Sequence, residues 1–141
     1  KSRCDIMLDN YCKTVLIEAN TMIDMVRTEI APAISAYVLE LANTVKAKKA
    51  VDDSVSCDYE TKLVKNLAGL EDQIAIRTDE LEKAVMKLQD AEDVEAESYM
   101  IRDAVLGKMG ELRAACDEAE TMTAKKYWPF PTYGDLLFGV K

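Results

Sequence analysis

Apolar residues recur at steps of three and four along almost the whole chain, the spacing of one face of a helix. From about Asp5 to Lys49 the series is Leu8, Cys12, Val15, Ala19, Met22, Val26, Ile30, Ile34, Tyr37, Leu41 and Val45. It predicts one long helix with an internal disturbance at Pro32. Proline lacks the backbone donor and its ring clashes with the preceding turn, so a kink or break is expected near Thr28–Pro32. The stretch Ala50–Asp58 loses the period and clusters Asp and Ser, the composition of a turn leading to a helix N-cap.

A second helix is expected from about Tyr59 to Leu88. At about 100° per residue, Leu63, Leu67, Leu70, Ile74, Leu81, Val85 and Leu88 fall within an arc of about 60°, a narrow coiled-coil-like stripe. Arg77 is its one polar interruption. Residues Gln89–Glu97 are acidic, with no basic residue, Gly or Pro among them. A continuous helix stays open there, but the stripe changes phase, so a turn near residues 89–94 is preferred. A third face follows in Ile101, Val105, Met109, Leu112, Cys116, Ala119 and Thr123. Acidic residues at its start favour the positive end of the helix dipole. It is expected to stop before Pro129, with Lys125 and Lys126 in its last turn.

Helices of ~30–45 residues are ~45–65 Å long at about 1.5 Å per residue, and short connections make neighbours antiparallel. The expected architecture is therefore all-α: a long antiparallel three-helix bundle over residues 1–127, followed by an extended aromatic tail, 128–141, of the same domain. With 141 residues, 49% of them apolar and 31% charged, the chain has the makings of one globular domain. Only 5 Gly and 3 Pro punctuate it, and few breakers mean long helices.

The net charge of −8 and pI near 4.6 change the picture of partners. An acidic surface repels phosphate backbones and anionic membranes, so neither nucleic acid nor a membrane is expected as a partner. No apolar run approaches the ~18 residues of a membrane span, and no signal-peptide pattern opens the chain. The first residue is Lys1 rather than Met, which suggests an excised domain. Cys4, Cys12, Cys57 and Cys116 lack the paired spacing of a zinc site and read as reduced, buried thiols of a cytoplasmic protein.

The sequence contains no His. That removes Ser-His and Cys-His nucleophile pairs, imidazole acid–base chemistry and the Glu-x-x-His ligands of a di-iron bundle. There is no phosphate-binding glycine loop; Gly107-Lys108-Met109-Gly110 falls within the third helix, where small residues would permit close helix packing. Carboxylates are plentiful at Glu92, Asp93, Glu95 and Glu97 and at Asp117, Glu118 and Glu120, but nothing fixes a coordination geometry, and Asp52–Asp58 lacks the Gly and Glu of a calcium loop. No catalytic, cofactor-binding or metal-ligating residue is assigned.

Two features point to an interface instead. Between Val15 and Val26 the first helix is apolar nearly all round, and Ile17 and Met25 project away from its core face. A helix of that kind is buried on more than one side, and a three-helix bundle supplies only one. The second feature is the segment Trp128–Val140 (WPFPTYGDLLFGV), which holds the only Trp, both Phe, two of the three Pro and two of the five Gly. The prolines impose an extended path, Tyr133-Gly134 reads as a turn, and Asp135 could cap a short turn at Leu136-Leu137-Phe138. Trp128, Phe130, Tyr133 and Phe138 together carry ~600–1,000 Å² of aromatic surface, more than a typical monomer leaves in water. It must pack on its own bundle or on another domain or subunit. The candidate interface residues are Ile17, Met25, Trp128, Phe130, Tyr133, Leu136, Leu137 and Phe138.

At these two places the sequence resembles the C-terminal region of type III glutamine synthetases: the tail YWPFPTYGDLLFGV (127–140), the opening SRCDIMLDNYCKTVLIEANTMIDM (2–25) and IAPAISAYVLELANTV (30–45). The middle helices match that family in general character only. Cys4 stands where the family is expected to carry an aromatic, which argues against a role for this thiol. The resemblance implies a parent enzyme, a cytoplasmic homo-oligomer that joins ammonia to glutamate with ATP and a divalent metal (Mg or Mn). Its substrate, nucleotide and metal residues would lie upstream of Lys1, and no position here matches them. What it implies for this chain is an accessory helical domain whose tail returns to the catalytic domain of the same enzyme. The rival reading is a free-standing coiled-coil interaction module. Small-molecule regulation inside the bundle has no support beyond room beside Gly107 and Gly110.

Overall fold

The structure, a computed structural model, describes residues 3–90 and 95–130, with side chains described for 12–89 and 100–130. Among the described residues every regular element is helical. They are α1 (Arg3–Met25), a π-turn (Val26–Ile30), α2 (Ala31–Val51), α3 (Asp58–Asp90), α4 (Glu95–Met122) and a single 3-10 turn (Lys125–Tyr127). The first three run on without a loop, so the long elements are three, as the periodicity predicts. The preferred turn near 89–94 falls mostly on residues 91–94, outside the described residues.

Pro32 does not break the first helix. The chain instead widens into the π-turn, closed by the Ala31 N–H donating to the Val26 carbonyl, and Pro32 follows in the opening turn of α2. The apolar pattern gives a reason for the extra residue. Met22, Val26, Ile30 and Ile34 are spaced by four, so over a straight α-helix they would drift by about 120° around the axis at about 100° per residue. A π-turn takes up one residue and reduces that drift to about 20°. Val26, Ile30 and Ile34 consequently all reach the core, none more than 7% exposed.

That core is one cluster shared by the helices. It includes Val15, Ala19, Ile23 and Leu41 from the first helix, Leu67, Leu70, Ile74, Leu81, Val85 and Leu88 from α3, and Val105, Leu112, Cys116 and Ala119 from α4. Polar pairs fix the register around it. Arg27 reaches Glu82 at 2.8 and 3.1 Å and Asp79 at 3.4 Å. Ser35 donates to Glu71 at 3.3 Å, and Lys48 to Glu60 at 2.7 Å. As numbers rise along the first helix, their partners on α3 fall. The same inversion links α3 to α4, where Arg77 donates to the Glu111 carbonyl at 2.7 Å and Lys108 approaches Glu80 at 3.6 Å. Partly exposed ion pairs of this kind stabilise by at most ~1 kcal/mol each, so they select the alignment while the cluster supplies the stability.

The turn between α2 and α3 is built as its Asp and Ser content suggests. Asp52 accepts from the backbone N–H and hydroxyl of Ser54, both at 2.9 Å, and the Asp58 N–H donates to the Ser56 hydroxyl at 3.4 Å. Two expectations need correction. α4 ends at Met122, so Lys125 and Lys126 belong to the 3-10 turn and not to the last turn of that helix. Gly107 and Gly110 do not admit a neighbouring helix, because a Cβ added at either would meet nothing within 4 Å. The spacing that suggested packing places both on the exposed face of α4.

Candidate interface groove

The end of α4 turns the chain back across the bundle. Buried Thr123 closes the last turn, its N–H and hydroxyl both donating to the Ala119 carbonyl at 3.0 and 2.8 Å. Ala124 then adopts an extended ψ of 138°, and the 3-10 turn is held by Tyr127 N–H to Ala124 and Trp128 N–H to Lys125. Its side chains anchor it to α2: Lys126 pairs with Glu40 at 3.2 Å, and the ring of Tyr127 lies 5.5 Å from that of Tyr37. Burial raises the pKa of both tyrosines above the usual phenol value, so both stay protonated and neutral at physiological pH.

Beyond this anchor, Trp128 and Phe130 pack against the core cluster and form one wall of a groove of about 610 Å³. A second wall is the outer face of α1, with Ile17, Thr21 and Met25; the third is α4, with Met109, Arg113 and Cys116; Met22, Val26 and Ile30 line it from the core side. Ile17 is 67% exposed although it is a large aliphatic side chain. The Thr21 hydroxyl donates to the Ile17 carbonyl of its own helix at 2.8 Å, which occupies its proton and leaves that wall more apolar. Charged side chains also line the groove, the exposed Glu18, Arg113 and Asp117 and the half-buried Glu120.

The groove has the chemistry of a contact surface. Burial, with a smaller contribution from the charge of Asp117, pushes the Cys116 thiol up to about 11, so it is neither a nucleophile nor a ready metal ligand at neutral pH. Among the described residues no group of three or more His, Cys, Asp or Glu could hold a metal ion. None of their helices is long and apolar enough to cross a membrane. What the groove offers is hydrocarbon and sulfur: three Met side chains beside aliphatic and aromatic groups, a lining that adapts to an apolar occupant.

Four of the interface residues named from sequence, Ile17, Met25, Trp128 and Phe130, therefore meet in one place. Tyr133, Leu136, Leu137 and Phe138 lie outside the described residues. Of the two apolar residues set apart on α1, Ile17 is exposed and Met25 half-buried. Sequence reasoning assigned Met109 and Cys116 only to a core face, and it missed the Lys126–Glu40 and Tyr37–Tyr127 contacts. Residues 86 and 90 positions apart carry no linear signal of contact.

The sequence is also similar to known proteins. Residues 1–49 match the family model described as the glutamine synthetase C-terminal domain. Over 141 residues, 99% of this chain and 20% of the relative, the sequence is 33% identical to a glutamine synthetase of Butyrivibrio fibrisolvens. It is 25% identical over 142 residues, 98% of this chain and 19% of the relative, to a type-3 glutamine synthetase of Dictyostelium discoideum. The chain thus spans about a fifth of the length of the curated relatives it matches. No solved structure matches it. A helical chain aligned from end to end with a fifth of such enzymes, its opening helix matched by the model of their last domain, belongs to the family of glutamine synthetase C-terminal domains.

Proposed function

We propose that this chain is a non-catalytic accessory domain of a type III glutamine synthetase, an antiparallel three-helix bundle that stabilises the fold or the subunit contacts of its parent. The parent would be a cytoplasmic homo-oligomer joining ammonia to glutamate at the expense of ATP, with Mg or Mn in a catalytic domain elsewhere in the same protein. The inverted order of the α1/α2–α3 and α3–α4 partners supports the antiparallel arrangement. The reading of a docking role rests on one observation above all: exposed Ile17 stands in an apolar groove with Met25, Trp128 and Phe130, directly before the aromatic segment that continues to Phe138. These residues, with Tyr133, Leu136, Leu137 and Phe138, form the proposed contact with the catalytic domain.

Ile17→Ser in the full-length synthetase tests it, because Ile17 is exposed and its replacement leaves the core cluster intact. The expected result is weaker subunit assembly, seen by sedimentation, together with lower glutamine formation, while the domain keeps its helix content. Assembly and activity equal to the unaltered enzyme would refute the docking role. Glutamine synthesis by the 141-residue chain alone would refute the placement of the catalytic site elsewhere.

A further inference from the structure

The last described residue, Phe130, itself lines the groove, and the order of contacts gives the chain a direction. Lys126 sits at Glu40 and Tyr127 at Tyr37. Next in sequence, Trp128 and Phe130 join a groove that the continuous first helix lines from Ile30 to Ile17. The chain is thus already descending the first helix when it reaches Phe130. The eight residues Pro131–Phe138 can span ~26–29 Å when extended, and Ile30 to Ile17 is ~20 Å of helix. The segment is long enough, and it carries Tyr133, Leu136, Leu137 and Phe138 toward a groove of about 610 Å³, within the ~300–1,000 Å³ that apolar ligand sites offer.

We propose that the segment Tyr133–Phe138 seats in this groove of its own chain, covering Ile17 and Met25. The segment then forms a layer on the bundle, and Ile17 and Met25 take part in the contact with a catalytic domain by holding that layer in place. This deepens the docking role above by naming what lies directly on Ile17, but it is tested on the 141-residue chain alone, so the two readings can fail separately.

Trp128 is the only tryptophan and stands in the groove wall, so its fluorescence reports the occupant. In the 141-residue chain the emission is expected at shorter wavelength, with poor acrylamide quenching. Removing residues 131–141 is expected to shift it to longer wavelength and increase quenching, with unchanged far-UV circular dichroism. Ile17→Glu, which leaves the tail intact, is expected to produce the same shift. A synthetic peptide of residues 131–141 added to the shortened chain should reverse it. Identical emission and quenching in the full and shortened chains would overturn the proposal. So would a tail-dependent shift that vanishes on dilution in parallel with dimer dissociation, since the occupant would then be the tail of a second copy.

Discussion

Replacing Gly69, Gly107 and Gly110 together by Ala should stabilise the domain markedly. All three lie inside helices, on exposed positions, and a Cβ at each would meet nothing within 4 Å. No packing is lost, so the balance is set by the backbone. A helical glycine is destabilising by roughly 0.5–1 kcal/mol relative to alanine, chiefly because its unfolded chain has more freedom to lose. Three such sites amount to ~1.5–3 kcal/mol if they add, and Gly69 is on a different helix from the other two. For 141 residues, an unfolding entropy of about 2.1 cal/mol/K per residue gives ~0.30 kcal/mol/K, so the expected rise in Tm is ~5–10 °C. Thermal melts by circular dichroism and the urea midpoint of the triple variant measure it. The close-packing reading of Gly107 and Gly110 makes the opposite forecast, since methyl groups wedged between helices would be destabilising. A Tm equal to or below that of the unaltered chain would refute the reasoning for open faces.

Two further outcomes follow from the core and the turn. Leu112→Ala, at a side chain with no exposure, should cost ~2–5 kcal/mol through lost transfer energy and the cavity left behind. Leu39→Ala, 61% exposed, should stay within ~0.5 kcal/mol; urea midpoints that fail to separate the two would place the core wrongly. At the α2–α3 turn, the hydrogen bond from Lys48 holds the Glu60 carboxyl below the usual carboxylate pKa. A depressed folded-state pKa gives stability that is fully present above the unfolded value and is lost as pH falls through the folded one. The acid-side fall in stability should therefore be shallower in Glu60→Gln, and parallel urea–pH profiles for the two proteins would contradict it.

Much of the helical layout is legible in the chain because helix periodicity is a local code. A residue and its neighbours three and four positions away share a face whatever the rest of the molecule does, so Leu67, Ile74, Leu81, Val105, Leu112 and Ala119 could be assigned to buried faces directly. The turn after Val51 is equally local, since Asp52 and Ser54 satisfy each other. Pro32 shows where a local rule stops. It marks the right place, but whether the helix breaks or widens depends on keeping Val26, Ile30 and Ile34 on one side, a demand set by the helices they face.

The sequence by itself determined three long helices, the identity of their buried faces, the absence of histidine chemistry and the family resemblance carried by the opening and the tail. Only the tertiary structure decided that Gly107 and Gly110 face open space, because spacing says which residues share a face but not what stands opposite. It alone brought Trp128 and Phe130 onto the groove beside Ile17 and Met25. That meeting depends on the 3-10 turn being pinned to α2 by Lys126 and Tyr127. Contacts across some ninety residues arise from the packing of whole helices, and no short window of sequence encodes them.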